Sequence, residues 1–235
     1  MADDHAVSEV GAQRRNQRTA LLVLGVICAI LVGVAIGTLI RLPLEQSAEP
    51  KPGAVDIGFT QDMSTHHAQA VEMAGIALIG STDNDVRRLA YDILTTQQGQ
   101  IGRMHGWLEM WGQPEQSVDG FMGWMVDKST GGHHSGAAPS GHAMSGPVST
   151  MPGMATPAEL TALRQTTGPQ FDTMFLQLML RHHQGGLTMI QYAAEYADTT
   201  AVRALADTME KTQTSEAKLI TTMLTTRNAT PLPPT

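Results

Sequence analysis

The sequence predicts an all-α protein: one N-terminal transmembrane helix followed by a four-helix bundle built from two copies of a helical hairpin. Three observations carry this. First, Ala20–Ile40 is 21 residues without a charge. Second, the segments around Asp56–Met73 and Phe171–Tyr192 match at a constant offset of 116 residues: Asp56 with Asp172, Phe59 with Phe175, Gln61 with Gln177, Met63 with Met179, Met73 with Met189. The offset holds further on, where Val86-Arg87-x-Leu89-Ala90 pairs with Val202-Arg203-x-Leu205-Ala206 and Thr96-Gln97 with Thr212-Gln213. Third, the apolar residues in both segments recur at three- and four-residue steps, the helical period. A repeated supersecondary unit is one structural piece used twice. One hairpin leaves its apolar face exposed, and a second copy covers it.

Residues 1–18 are a polar cytoplasmic tail. The apolar run within 19–41 spans about 30 Å as a helix, the thickness of a bilayer core, and has no polar face that a buried soluble helix would show. A cleaved signal peptide is the rival reading, but the run is long for one and no small-x-small site follows closely. Cys28 lies mid-span after Ile27 and does not fit a lipidation site. Arg14, Arg15 and Arg18 precede the span, against Arg41 and Lys51 after it, which favours a single-pass protein with its N-terminus cytoplasmic and its bulk extracytoplasmic.

Pro43, Pro50 and Pro52 mark a spacer before the bundle, residues 55–227. Repeat one covers 56–112. Its first helix begins near Asp56, with Phe59, Met63, His66, His67, Ala70 and Met73 on one face. Gly80-Ser81-Thr82-Asp83 joins a helix-stopping Gly to N-cap residues, the signature of a tight hairpin. The second helix runs to about Trp111, with an inner stripe of Val86, Leu89, Ile93, Gln97, Gln100, Ile101, Met104, Leu108 and Trp111; Gly112 and Pro114 end it. Residues 115–128 carry no assignable period. Residues 129–156 are a Met/His-bearing, Gly/Ser/Pro-rich linker, read as a mobile loop that builds no core. Thr156-Pro157-Ala158-Glu159 is a capping box with Pro at the first helical position, opening a short helix to about Gln165. Repeat two, 169–227, repeats the hairpin with its turn at Asp198-Thr199-Thr200, and 228–235 is a frayed tail.

A net charge of −7 argues against nucleic acid, whose phosphates need a basic face. The single Cys excludes an intrachain disulfide and a thiolate cluster. Against 4% aromatic residues stand 15 Met and 9 His. Met63, His66 and His67 share a helix face within one turn, as do Met179, His182 and His183, and such neighbours can share one ion. Thioether with imidazole is a soft donor set, suited to Cu(I) and by analogy Ag(I) rather than to Mg(II), Ca(II) or Mn(II). Met73 and Met189, about 10 Å along the helix from the first His of their pair, read as core, as does Met104, with a second metal site as the alternative for the first two. An imidazole on an inward face needs a partner, and Asp56, Asp172 or Glu216 could supply it by orienting a metal-bound ring. In the linker, His133, His134, His142, Met144, Met151 and Met154 are either passengers on a flexible tether or a low-affinity capture loop. His105, matched by Thr221 in the second copy, reads as structural.

The Phe-x-x-x-Met-x-x-His-His core, the Met151-Pro152-Gly153-Met154 turn and the spaced Gln213-x-x-Glu216 resemble the bacterial domain-of-unknown-function 305 family, over about residues 55–227. The resemblance implies a ferritin-like four-helix bundle, often secreted or membrane-anchored, with some members tied to copper binding and resistance outside the cytoplasm. Carried over, the implied metal residues are Met63, His66, His67, Met179, His182 and His183. The chain departs from the pattern where Gln100 stands opposite Glu216 and where Gly185-Gly186 follows the second His pair. The function expected is therefore a membrane-anchored, non-enzymatic copper sink or chaperone, with a copper-accepting protein as a possible partner. An interaction subunit of a membrane complex without a metal role is the alternative. A ferritin-like di-metal oxidase is the poorer fit, because its Glu-x-x-His motif occurs nowhere in the chain.

Overall fold

The computed structural model describes residues 21–38, 50–125 and 146–234. Among them the chain is helical, with a single antiparallel bridge pair, Phe121 to Val148. The first helix, α1, Leu21–Thr38, is exposed throughout and has a mean hydropathy of 2.8. It is long and apolar enough to cross a membrane, and a signal sequence would have the same properties.

The second unit, from Pro50 onward, holds the bundle. Its helices are α2 (Ala54–Gly80), α3 (Asn84–Met110), α4 (Pro157–Gln165), α5 (Gly168–Tyr196) and α6 (Thr200–Thr226). The hairpin turns fall where the caps predict. Asp83 accepts from the amides of Asp85 and Val86 to start α3, and Thr199 accepts from that of Val202 to start α6. The Thr156–Glu159 capping box opens α4. Gly112, in the left-handed region at φ +64°, ends α3, which a residue with a Cβ would do at a cost.

The hairpins α2–α3 and α5–α6 meet chiefly along α2 and α5. Two reciprocal clasps join them. Asp56 at the start of α2 accepts from the amides of Asp198 and Thr199 (both 2.9 Å) and from the Thr199 hydroxyl (2.6 Å). In the other direction Asp172 accepts from the Ser81 hydroxyl at 2.5 Å. Each copy's first helix thus holds the turn of the other copy. Neither aspartate reaches a histidine, so the expectation that Asp56 or Asp172 orients a ring is corrected: both carboxylates are consumed by the inter-hairpin turns.

The core is divided. One cluster contains Ala70, Met73 and Ala77 of α2, Val86 to Ile93 of α3, Phe171 to Met179 of α5 and Ile220 to Leu224 of α6. The other contains Val55, Phe59 and Met63 of α2, Met104 of α3, Met189 to Ala193 of α5 and Val202 to Met209 of α6. α2 and α5 therefore run antiparallel, and each helix passes from one cluster to the other through a polar stretch. Those stretches stand level: His66-His67, Gln97 to Gln100, His182-His183 and Gln213 to Glu216.

Two expectations about the connecting segments are corrected. The described part of the linker, residues 146–156, does help build the core. Met151 is 2% exposed and Ala155 5%, because an apolar face of the bundle would otherwise meet water there. Residues 228–234 are held rather than frayed: Gln177 donates to the Thr230 carbonyl at 2.6 Å, and Ala229 and Leu232 pack on the first cluster. The unassigned stretch after Pro114 also closes on the bundle. Buried Asp62 accepts from the Met122 amide (2.6 Å) and the Trp124 indole (2.7 Å), and Trp124 stands edge-on to Phe59 and Tyr192.

Candidate metal centre

Four imidazoles occupy the polar layer, and each is at most 1% exposed. Helical spacing puts them there: His66-His67 lie between Met63 and Ala70 on the inward face of α2, and His182-His183 between Met179 and Gly186 on α5. The rings of His66 and His182 face each other at a tilt, with centroids 3.8 Å apart and planes 34° apart, while those of His182 and His183 are 6.5 Å apart. Gly186 makes room for this pair, since a Cβ there would lie 3.0 Å from the His66 ring.

Three rings have an outer hydrogen bond. His67 Nε2 meets the Gln100 side-chain oxygen at 2.8 Å, and His183 Nε2 meets the Glu216 carboxylate at 2.6 Å, the same register in the two copies. His66 Nε2 meets the Pro152 carbonyl at 3.2 Å. Other polar atoms of the layer are unsatisfied. His66 Nδ1, His67 Nδ1, His183 Nδ1, His182 Nε2, both amide atoms of Gln97 and the Gln213 oxygen are buried without a hydrogen-bond partner. Leaving such groups unpaired costs roughly 1–3 kcal/mol each, so seven in one layer are an unusual concentration of unmet polar groups in a buried place.

Burial holds the His66, His67 and His182 rings neutral. It pushes His66 down to about 4, with the Pro152 carbonyl opposing. His67 falls to about 3, through burial and the nearby His66, with Gln100 opposing. His182 is lowered well below the usual histidine range by burial and by His66, His183 and His67 around it. Neutral imidazoles keep a free lone pair at pH 7. Among the described residues no group of three or more His, Cys, Asp or Glu side chains is placed to hold a metal ion as it stands; the His66 and His182 rings face each other instead.

The thioethers flank the layer from both sides. Met63 and Met189 lie in one apolar cluster and Met73 and Met179 in the other, all fully buried. Met151 is buried and Met154 half-buried against the cluster of Met63. His133, His134, His142 and Met144 lie outside the described residues. His105 is on the surface, 3.6 Å from Glu115.

A strap covers one side of the layer, and the sequence did not single it out for this. Residues 151–155 cross α5 at Gly185, where an added Cβ would come within 2.3 Å of the Pro152 carbonyl oxygen. Gln69 fastens the strap with a paired bond, donating to the Ala155 carbonyl (2.9 Å) and accepting from its amide (2.6 Å). Arg181, next to the second His pair, holds α4 through a two-pronged ion pair to Glu159 at 2.9 and 2.8 Å. That contact, with the Thr156 amide, pulls the Glu159 carboxyl down to about 2. The Gly185-Gly186 pair thus has a reason: one glycine admits the strap and the other the His66 ring. Gln97 and Gln213 are also new to the site. Their signal was a polar residue repeated at the 116-residue offset on an otherwise apolar stripe.

These features define a four-helix domain made of two like hairpins, with a histidine layer shared between them. The chain belongs to the DUF305 family, a domain of unknown function, whose model matches residues 56–224. It is similar to a DUF305 protein of Streptomyces coelicolor described as a candidate secreted protein, at 39% identity over 76% of this chain and 97% of that one, with a TM-score of 0.64. A DUF305 fragment from Deinococcus radiodurans is 29% identical over 74% of this chain and 98% of its own, with a TM-score of 0.57. CopM in a Cu(I)-bound form is 22% identical over 73% of this chain and 96% of its own, with a TM-score of 0.52, a likeness of fold; CopM is also known in Cu(II)-bound and Ag-bound forms. No curated protein matches the chain.

Proposed function

We propose that this chain holds Cu(I), or Ag(I) in its place, in the histidine layer, and that it serves copper homeostasis or resistance as a membrane-anchored sink or chaperone outside the cytoplasm, without catalytic turnover. The observation that carries the reading is four buried imidazoles in one layer, each with one nitrogen lacking a hydrogen-bond partner. Imidazole nitrogens with soft thioethers a helical turn away suit a d10 monovalent ion. Charge points the same way. The layer holds one carboxylate, Glu216, against His183, with the amide of Gln100 in the matching place. A monovalent ion balances that charge, and a divalent ion would leave a net charge buried, which is costly. The fold shared with CopM makes copper and silver the first ions to try. Binding requires the rings to shift about the hydrogen bonds they already make until their unpaired nitrogens reach one ion.

The anchor in this reading is α1, with Arg14, Arg15 and Arg18 keeping the N-terminus inside. The weakly polar surroundings of the layer would hold the ion until a copper-accepting protein takes it. The test is a Cu(I) competition titration under reductant, on the parent and on a variant with His66, His67, His182 and His183 changed to Ala. Tight copper in the parent and none in the folded variant supports the reading. Equal copper in both removes it, and a bundle indifferent to metal would then serve as an interaction subunit.

A further inference from the structure

A neutral imidazole carries its proton on one nitrogen and offers a lone pair on the other, and the hydrogen bond made by the first decides which is free. In three of the four rings that bond is fixed. The Nε2 atoms of His66, His67 and His183 face the Pro152 carbonyl, the Gln100 side-chain oxygen and the Glu216 carboxylate. A carbonyl or carboxylate oxygen accepts, so each of these Nε2 atoms donates. The lone pair is then on Nδ1, and all three Nδ1 atoms are buried without a partner. His182 is reversed. Its Nε2, not its Nδ1, is the buried atom left without a partner.

Resting on the copper reading above, we propose that the ion is ligated through Nδ1 of His66, His67 and His183 and through Nε2 of His182, and that Gln100, Glu216 and the 151–155 strap are positioning groups that impose this choice. The strap's part is to deliver one backbone oxygen. The Pro152 carbonyl reaches His66 only because Gln69 clamps Ala155 on one side and Gly185 lets the strap lie against α5 on the other. The three outer acceptors differ in charge. Glu216 makes His183 the most electron-rich donor, whereas an amide and a backbone carbonyl support the other two.

The experiment uses the full chain in detergent micelles with 15N-labelled histidine rings, read by long-range proton–nitrogen spectra before and after one equivalent of Ag(I). The apo spectrum shows the Nε2–H form for His66, His67 and His183 and the Nδ1–H form for His182. Added Ag(I) moves the Nδ1 resonances of the first three and the Nε2 resonance of His182. Gln100→Glu keeps an acceptor and leaves the His67 signature in place. Gln100→Leu removes it, so His67 gains Nδ1–H character and Ag(I) binds about tenfold or more weakly, the usual effect of losing an orienting partner. Gln69→Ala does the same at His66 and leaves His67 and His183 unchanged. Ag(I)-dependent shifts at Nε2 of His66, His67 or His183 overturn the assignment of ligating atoms while leaving the copper reading standing. A Gln100→Leu protein that melts earlier yet keeps the parent His67 tautomer overturns the positioning role. No Ag(I) bound by the parent overturns the copper reading and the ligation with it.

Discussion

Replacing Gly185 with Ala sets two effects of known size against each other. In an open helix interior the change stabilises by up to about 1 kcal/mol, because Ala costs less backbone entropy. At Gly185 the new methyl would lie 2.3 Å from the Pro152 oxygen, 2.4 Å from its carbonyl carbon and 2.5 Å from the Gly153 nitrogen. All three are backbone atoms and cannot swing aside. The strap must retreat by about 1 Å to reach ordinary contact. Such overpacking costs typically about 1–3 kcal/mol. The retreat also stretches the 3.2 Å bond from His66 to Pro152, worth roughly 1 kcal/mol. Subtracting the helix gain leaves Gly185→Ala less stable by about 1–3 kcal/mol. Gly102 is the control. It lies in α3, where an added Cβ meets nothing within 4 Å, so Gly102→Ala is more stable by up to about 1 kcal/mol. Urea unfolding followed by tryptophan fluorescence reads both as midpoint changes at a constant slope. A Gly185→Ala protein at least as stable as the parent, beside a stabilised Gly102→Ala, would refute the close seating of the strap.

The remaining predictions concern acid and the clasps. His66 and His67 fall from 6.5 when unfolded to about 4 and about 3 when folded. The unfolded chain therefore binds more protons below pH 6.5. Their contribution to stability is fully present above 6.5 and is lost as pH falls toward 4 and 3. Glu159, lowered from 4.5 to about 2 by Arg181, adds stability that is present above 4.5 and lost as pH falls toward about 2. Thermal midpoints should climb between pH 4 and 6.5, and the four-His→Ala variant should flatten that climb; an unchanged slope contradicts buried neutral rings. Changing Asp56 to Ala strands the Asp198 and Thr199 amides and the Thr199 hydroxyl, at a cost of about 2–3 kcal/mol. Denaturant unfolding should show that loss while Cu(I) affinity stays at the parent's value; a drop in affinity in the folded variant would restore Asp56 to the site.

Much of the bundle was legible because duplication writes each helix twice. The His66–His182 offset carried the hairpins, and the caps at Asp83, Thr156 and Thr199 placed their turns. The paired histidines were legible for the same reason. What the sequence hid was long-range. Asp56 is three residues into a helix and nearly three turns from the histidines on the same helix, and the Asp198–Thr199 turn that takes its carboxylate lies 142 residues away in the chain. The linker's composition is that of a flexible tether, yet Met151 and Ala155 are buried because α5 offers a glycine for the strap to cross. The role of Pro152 lies in its backbone oxygen, which no side-chain motif can announce. Gln97 stood in a stripe of mostly apolar residues, and what marks it and Gln213 is that both amide atoms of the first and the oxygen of the second have no hydrogen-bond partner.

The central claim, that the histidine layer is where copper is held, is tested most directly by anomalous diffraction at the copper edge from crystals of the Cu(I)-loaded chain. The account predicts a peak inside the layer, within bonding reach of ring nitrogens from both His66-His67 and His182-His183. Peaks confined to positions outside the layer, from protein that carries copper in solution, would contradict it.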